Sequence, residues 1–410
     1  MPVDPEKRLK YLEWVAKREV GSKIYSAESE LAEGPARIPF ISPFLTWATT
    51  GGVPVGHMCR WYGPEGSGKS LHNWGIVYCG QNYPQIMTDL YELEIKFWEA
   101  RRKKIKVVAL KRKLKKVIAK FPDGMSAIIF DTEQRAQIDF AMKLGVNMHK
   151  DKCVVIEENI IEEIIEEMAA ALEAYHILII DSASNAQSYA EANLDPGEYE
   201  RGTAAAAWKR LRQVRKRLDR QENTIIIVDQ MRTQGIGGGG NKYSGPIIAP
   251  PNIRFLRHNA SLAVRFAPAT DLFLNDEHQL VSDKKKASND FRAMGSDGHE
   301  VAGIETRCKV DKNSTGKPYR NAVGRFRFDV ADARTGELVQ EAGFDQGFEM
   351  LTVAEYFHII EAGGGGMFYL LDEKFKRTTR KWKGEWRVID GILNDEELFD
   401  RIMSRLRMAT

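Results

Sequence analysis

The sequence is poor in cysteine, and its few cysteines do not form a recognisable metal or disulfide pattern. Among 410 residues there are four, Cys59, Cys79, Cys153 and Cys308. They occur singly, with neither a CxxC pair nor a histidine at zinc-ligand spacing. Reduced thiols in a protein core are therefore favoured over a metal site.

Long apolar runs are also missing, since no stretch approaches the roughly 18 apolar residues of a membrane-spanning helix. The first residues, MPVDPEKRLKYLEW, do not resemble a signal peptide. We therefore expect a cytoplasmic protein. Because 43% of the residues are hydrophobic, the chain can bury an ordinary core, which excludes a disordered or collagen-like protein, and its length suggests two or three domains.

The chain has almost no net charge. Its 60 Lys and Arg residues and 57 Asp and Glu residues give a formal charge of +3. This balance does not exclude a nucleic-acid partner, since a binding groove needs local positive charge and not a positive total.

The order of apolar patterns predicts an α/β fold with additions at both ends. Residues 5–20 have helical apolar spacing and precede a short strand, GSKIYSA, and a linker near residues 35–39. From residue 51, short β-branched runs alternate with helical segments such as 160–174 and 203–218, which indicates a mostly parallel sheet. After residue 259 the strands follow one another and predict an antiparallel extension. A small α/β unit follows, with helices at 353–362 and from about residue 395.

The strongest motif, GPEGSGKS, lies directly after a strand and before a helix. It matches the phosphate-binding loop GxxxxGK[ST], whose backbone N–H groups hold phosphates, whose lysine neutralises the β and γ oxygens and whose hydroxyl coordinates Mg²⁺. A nucleoside triphosphate with Mg²⁺ is thus the expected ligand, and the family resemblance described below implies that the nucleotide is ATP. The motif comprises Gly63, Pro64, Glu65, Gly66, Ser67, Gly68, Lys69 and Ser70.

Three further strand ends could complete a hydrolytic site at the carboxyl edge of the sheet. Asp181 is a candidate Mg²⁺ ligand, although it could instead cap a helix. Glu133 is the candidate general base, with Asp131 as the alternative. Gln230 could sense the γ-phosphate by a hydrogen bond, or it could be an ordinary polar residue at a strand end.

Taken together, these motifs resemble the RecA-type recombinases over nearly the whole chain. The matching segments, in the family's order and with similar spacing, are GGVPVGHMCRWYGPEGSGKS, DTEQRAQIDFAMKLGV, ILIIDSASN, IIIVDQMR and EVAGIETRCKVDKN. The resemblance implies a RecA-like P-loop ATPase core at residues 37–345. It also implies a polymerisation arm at 1–36 and a C-terminal domain at 346–410.

The resemblance also implies roles for individual residues. Glu133 and Gln230 match the family's catalytic glutamate and its phosphate-sensing glutamine, and Phe140 matches a ring that packs on adenine. Lys312 matches one of two lysines that reach the neighbouring subunit's ATP. The other lysine is replaced by Ser314, so Lys309 or Lys317 could assist.

Two DNA-binding loops are implied, near residues 191–202 and 231–253, and the second contains the glycine run 237–240. For any one of their residues, the alternative is an exposed loop position without a DNA contact. The candidate DNA contacts are Tyr199, Arg201, Arg232, Ile236, Lys242, Arg254 and Arg257.

Two segments that depart from the family pattern are rich in lysine and arginine. An insertion at 87–123 has 12 Lys and Arg between Lys96 and Lys120 against one acid, Glu99, and is either a solvated helical face or an accessory nucleic-acid contact. Near the C-terminus, KFKRTTRKWKGEWR could gather duplex DNA, although its tryptophans could equally belong to a core. Such departures suit a phage or another divergent lineage.

The resulting hypothesis is a DNA-dependent ATPase that forms helical filaments on single-stranded DNA and exchanges it with a homologous duplex. The expected partners are single-stranded DNA, double-stranded DNA and further copies of the chain. One alternative is a ring-forming helicase of the same fold, against which the N-terminal arm and KVDKN argue. The other is a non-catalytic filament that only coats DNA, against which Glu133 argues.

Overall fold

A computed structural model describes residues 34–195, 203–218, 222–234, 247–249, 254–288, 291, 299–332 and 335–409. The predicted N-terminal arm, apart from residues 34–36, lies outside these ranges. The strands are β1 (Arg37–Ile38), β2 (Val53–Pro54), β3 (Met58–Gly63), β4 (Ala127–Asp131), β5 (Cys153–Ile156), β6 (Ile177–Asp181), β7 (Thr224–Gln230), β8 (Arg232–Gln234), β9 (Ile247–Ala249), β10 (Leu262–Phe266), β11 (Thr270–Leu274), β12 (Leu280–Val281), β13 (Gly303–Asn313), β14 (Asn321–Arg327), β15 (Val330–Ala331), β16 (Leu338–Gln340), β17 (Gly343–Phe344), β18 (Ile360–Ala362), β19 (Met367–Leu371) and β20 (Arg377–Lys383). The α-helices are α1 (Pro43–Ala48), α2 (Lys69–Gln81), α3 (Tyr83–Ala100), α4 (Lys104–Lys120), α5 (Ile138–Lys143), α6 (Ile161–Ala171), α7 (Tyr189–Ala192), α8 (Thr203–Trp208), α9 (Leu211–Arg217), α10 (Arg254–Asn259), α11 (Gln346–Tyr356), α12 (Glu385–Leu393) and α13 (Glu396–Ala409).

The large sheet has the strand order β12-β11-β13-β10-β3-β7-β6-β4-β5, and β14 and β17 continue from β13. Neighbours from β10 to β5 run parallel. The pairs that involve β11 to β14 are antiparallel. The predicted α/β class, a mostly parallel sheet with an antiparallel extension, is confirmed.

Both faces of the parallel sheet are buried, which explains why its strands are continuously apolar. In β6, Ile177 and Ile179 belong to one core cluster, whereas Leu178 and Ile180 belong to the other. This alternation follows from the two-residue period of a strand. None of the helices in the described ranges has both the length and the apolar composition needed to cross a membrane.

The segment predicted to be helical at 203–218 is helical but divided into two short helices, α8 and α9. The amides of residues 209 and 210 bond to carbonyls three residues back, which is a tighter turn than an α-helix makes. Trp208 and Leu211 on either side of this turn are 2% and 0% exposed. Packing of these two side chains into the core therefore accompanies the break.

The helix predicted for 353–362 begins earlier and ends earlier, as α11. The Asp345 side chain accepts a hydrogen bond from Phe348 N at 3.1 Å and so caps a start at residue 346. His358 has a positive φ of 52°, which ends the helical path. Ile360 can then pair with Leu370 in the small sheet β18-β19-β20.

The segments predicted as an insertion and as a second DNA loop contain regular structure. Residues 87–123 lie mostly in the helical hairpin α3–α4. Within 231–253, β8 and β9 pair antiparallel, with Arg232 opposite Ala249, so residues 232–234 and 247–249 of that segment are strands.

A buried carboxyl group joins the C-terminal unit to the core. Glu349 of α11 is 0% exposed, and its Oε2 accepts a hydrogen bond from Ser42 Oγ at 2.6 Å. Burial and, to a smaller extent, the nearby Asp345 raise the pKa of Glu349, the Ser42 hydroxyl and the Phe44 backbone oppose the shift, and the net value is about 8. Glu349 is therefore protonated in the folded protein at neutral pH.

We expect Glu349→Gln to remove a pH dependence of stability. The folded-state pKa of Glu349 exceeds the unfolded value, so its favourable contribution is complete below about pH 4.5 and is lost as pH rises through about 8. The loss is on the order of a few kcal/mol. Thermal unfolding at pH 5.5 and pH 8 should show a smaller difference in Tm for the variant than for the wild type. Equal differences in Tm would contradict the assignment.

Candidate active site

Four parallel strands bring the predicted site residues to one edge of the sheet. The register places Gly63 at the end of β3 beside Gln230 at the end of β7, and Asp131 at the end of β4 beside Asp181 at the end of β6. A cavity of about 480 Å³ opens at this edge and is lined by residues that end or follow all four strands. The carboxyl edge of a parallel sheet is where such folds place their ligands.

The GPEGSGKS segment forms a tight loop between β3 and α2. Gly66 and Gly68 have φ values of 70° and 82°, which favour glycine. At Gly63 a Cβ atom would lie 2.4 Å from the Phe266 carbonyl oxygen. The neighbouring strand β10 therefore requires glycine at position 63, and the loop leads into the N-terminus of α2, where free backbone amides favour an anion.

Lys69 lies inside this loop with only 7% of its surface exposed. Its Nζ donates hydrogen bonds to Gly63 O at 3.1 Å, Pro64 O at 2.5 Å and Ser67 Oγ at 3.2 Å. Burial lowers the pKa of Lys69, and the nearby carboxylates, led by Asp181 and Glu133, oppose that shift. The loop thus holds a cation where phosphate oxygens would lie.

Ser70 and Asp181 provide oxygen ligands of the kind that Mg²⁺ prefers. Asn73 Nδ2 donates to Asp181 Oδ2 at 3.1 Å, and the Ser70 hydroxyl is near enough to Asp181 to favour its ionised form. Burial raises the pKa of Asp181 to about 6, and Glu133 adds to the effect, whereas Ser70, Asn73 and Lys69 oppose it. A bound divalent cation would favour the ionised carboxylate.

The donor set fits a magnesium ion that shares phosphate oxygens with the substrate. Among the described residues there is no cluster of three or more His, Cys, Asp or Glu side chains that could hold a metal ion. Mg²⁺ commonly uses one or two carboxylates together with water and substrate phosphates. The Ser70 hydroxyl and the Asp181 carboxylate are consistent with that mode.

Glu133 and Gln230 are in direct contact across the cavity. Gln230 Nε2 donates to Glu133 Oε1 at 2.7 Å, and Ser182 Oγ donates to the same oxygen at 2.6 Å. Both hydrogen bonds end on Oε1, so Oε2 is the oxygen left to accept a proton from water.

Asp131, the alternative general base, is occupied by the backbone. Its carboxylate is 5% exposed and accepts hydrogen bonds from the amides of Glu133 at 3.0 Å, Arg135 at 2.7 Å and Ala136 at 2.7 Å. These bonds shape the turn that presents Glu133. The geometry therefore favours Glu133 over Asp131 as the proton acceptor.

A buried chain of polar groups behind Gln230 was not identified from the sequence. Gln230 N donates to Ser184 Oγ at 2.7 Å, and Ser184 Oγ donates to Asp229 Oδ1 at 2.6 Å. Asp229, which is 0% exposed, also forms an ion pair with Arg60, which is 4% exposed. A charged residue within the apolar run MCRWYG is the signal that could have revealed it, because a buried charge needs a partner.

Phe140 and Lys312 lie outside the main cavity. Phe140 lines an adjoining depression of about 460 Å³ that shares Ala136, Gln137 and Phe328 with the cavity, and its ring is 5.2 Å from that of Phe326. Lys312 on β13 donates to His258 O at 3.0 Å.

The candidate DNA-binding side chains cannot be placed at the site. Tyr199, Arg201, Ile236 and Lys242 lie outside the described residues. Three others belong to elements that the structure describes, although their own side chains are not described. These are Arg232 in β8, and Arg254 and Arg257 in α10.

Comparison with known proteins gives distant relatives. The chain is 24% identical over 362 residues to Protein RecA of Desulforapulum autotrophicum, covering 88% of this chain and 79% of the relative. It is 23% identical over 302 residues to Protein RecA of Pseudomonas putida, covering 72% of this chain and 64% of that one. No protein-family model matches. A crystal structure of the RadB recombinase aligns with a TM-score of 0.38 and 12% identity over 69% of this chain and 92% of its own.

Neither sequence relative is close, but both are RecA proteins from different organisms and both align with more than two thirds of the chain. The chain is therefore similar to RecA proteins over most of its length, at 23–24% identity.

Proposed function

We propose that this protein is an ATP-dependent DNA recombinase that polymerises on single-stranded DNA and exchanges it with a homologous duplex. The observation that best supports this function is the 2.7 Å hydrogen bond between Gln230 and Glu133. Gln230 is the last residue of β7, directly before the segment at 231–253 to which we assign DNA contact. A change at the nucleotide can therefore reach that segment through a single side chain.

In the proposed reaction the phosphates of ATP lie over the amides of the loop from Gly63 to Ser70. Lys69 turns its ammonium group to the β and γ oxygens, while Ser70 and Asp181 hold Mg²⁺. The metal ion, when bound, neutralises charge that develops on the phosphate oxygens. Phe140 is assigned to the adenine ring because its depression adjoins the phosphate cavity.

Glu133 is the proposed general base for hydrolysis. Its Oε1 is held by Ser182 and Gln230, which orients Oε2 toward a water molecule beside the γ-phosphate. Oε2 accepts a proton from that water as the water attacks phosphorus. When the γ-phosphate leaves, Gln230 loses one hydrogen-bond acceptor and the DNA segment beside it is released.

Single-stranded DNA is assigned to the segments at 191–202 and 231–253. Backbone and phosphate contacts fix its position, and base pairing with the incoming strand reads sequence. The side chains proposed for these contacts are Tyr199, Arg201, Arg232, Ile236, Lys242, Arg254 and Arg257.

Filament formation is assigned to the N-terminal arm and to a lysine of the ATPase core. Residues 1–36 are the proposed polymerisation arm and 346–410 the C-terminal domain. Lys312 would reach the ATP of the neighbouring subunit. Ser314 cannot supply a second cation there, so a single cross-subunit lysine is expected.

ATP hydrolysis with and without single-stranded DNA, followed by electron microscopy with ATP, tests the function. We expect DNA-stimulated hydrolysis, helical filaments and strand exchange between a circular single strand and a linear duplex. Rings that unwind forked DNA would support the helicase alternative. Filaments without hydrolysis would support a coating protein, and the absence of both filaments and exchange would contradict the proposal.

A further inference from the structure

The two helices of the hairpin α3–α4 differ in charge, because α3 has four acidic residues and one lysine whereas α4 has eight basic residues and no acid. On α3, Lys96 lies 3.6 Å from Asp400. Arg101, just after α3, lies 3.9 Å from Glu373, and Glu94 lies 3.3 Å from Arg407. These ion pairs attach α3 to the C-terminal unit.

The side of α4 that carries Val107 packs against the rest of the protein. Val107 is 8% exposed, and Leu110, Leu114, Val117 and Ile118 pack against the main core cluster. An amphipathic helix that bound a membrane would keep such residues available for lipid. The opposite side of α4 is the part that could meet a partner.

That opposite side is basic and has no acidic residue, because the helix sequence is KIKVVALKRKLKKVIAK. Lys106 lies over the Trp98 ring at 3.7 Å, and Lys111 pairs with Glu99 at 3.0 Å. Five further cations are exposed and have no ion-pair partner within the described part of the chain. We call them the α4 basic face: Lys104, Arg112, Lys113, Lys115 and Lys120.

The length and chemistry of the α4 basic face suit a phosphate backbone. A helix of 17 residues is about 25 Å long, a span of roughly seven phosphates along one strand of a duplex. Single-stranded binding sites add aromatic side chains on which bases stack, whereas the exposed apolar residues of α4 are the aliphatic Ile105 and Val108, at 88% and 58%.

We propose that the α4 basic face binds the sugar-phosphate backbone of duplex DNA, without sequence preference and apart from the ATP cavity. The cations are present whether or not nucleotide is bound. This site is therefore independent of the proposed ATPase cycle, and it would add duplex affinity to the protein.

The test uses the full-length protein without nucleotide and a fluorescent duplex of about 40 base pairs, a length that exceeds the helix several-fold. The triple variant Lys104→Gln, Arg112→Gln and Lys115→Gln removes three cations that share one side of α4 and leaves its apolar side intact. We expect duplex affinity near 0.1 M salt to fall by about 10- to 100-fold, and the slope of log K against log salt to fall by about 2 to 3.

Two matched variants make the result specific. The first is a triple variant that keeps the positive charge and should bind duplex like the wild type: Lys104→Arg, Arg112→Lys and Lys115→Arg. Lys284→Gln, Lys285→Gln and Lys286→Gln removes three exposed cations from a 3₁₀ turn near β12 and should change affinity less than threefold.

The proposal is overturned if the neutral α4 variant binds duplex like the wild type, or if the Lys284 to Lys286 variant loses as much affinity. It is also overturned if only binding to phosphatidylserine vesicles or to polyglutamate declines. DNA-stimulated ATP hydrolysis should persist in the neutral α4 variant. Absence of hydrolysis in the wild type would contradict the proposed function. The duplex-binding result would still test the proposed role of the α4 basic face, because that assay contains no nucleotide.

Discussion

Lys69→Ala is expected to abolish ATP-supported strand exchange and to lower kcat/KM for ATP by at least about 10²- to 10³-fold, the usual effect of removing one preorganised donor to a developing charge. The side chain is 7% exposed and lies within the phosphate loop. A water molecule in place of the Lys69 side chain would not supply a positive charge held in a fixed position. Steady-state hydrolysis and a strand-exchange assay measure both effects.

Lys285→Ala provides the control for Lys69→Ala, since it removes an exposed lysine far along the chain from the loop. Both variants should melt within a few degrees of the wild type, because the Lys69 hydrogen bonds end on loop carbonyl oxygens that water can satisfy. Unimpaired exchange by a folded Lys69→Ala protein would refute the assignment of the loop.

Glu133→Gln should separate ATP binding from ATP hydrolysis. The amide oxygen can still accept the hydrogen bonds from Ser182 and Gln230, so the local geometry is kept, but the residue can no longer take a proton. We expect kcat to fall by about 10²- to 10⁴-fold. ATP affinity, measured by fluorescent nucleotide titration, should change only a few-fold, and filaments on DNA should become longer-lived.

Glu173→Gln is the matched control, because Glu173 is an exposed carboxylate outside the cavity. It should retain wild-type kcat. If Glu133→Gln also retained wild-type kcat, another group would have to be the base. Asp131 would then be the next candidate, despite its three backbone hydrogen bonds.

Much of this site follows from local sequence patterns. The loop at 63–70, Glu133, Asp181 and Gln230 each follow or end an apolar run, and carboxyl ends of parallel strands meet at one edge. The sequence patterns could not predict the hydrogen-bonded and charged residues that lie behind these side chains. Ser184 and Asp229 are 45 positions apart and Arg60 and Asp229 are 169 apart, so their pairing depends on strand order.

The boundaries of two helical segments also could not be predicted from the sequence. At 203–218 the helical pattern is continuous, yet the turn after Trp208 is set by how the two helices pack. At 353–362 the apolar residues fit either a helix or a strand. Only the partner strand, Met367–Leu371, decides that residues 360–362 extend.

The short connection between α2 and α3 has a mechanical consequence. A single residue, Asn82, separates the helix that begins at the phosphate loop from the helix that is attached to α13 through Glu94 and Arg407. A force that tilts the C-terminal unit would therefore act on the far end of α2. In the proposed filament, stretching or bending would thus change the rate at which each subunit hydrolyses its nucleotide.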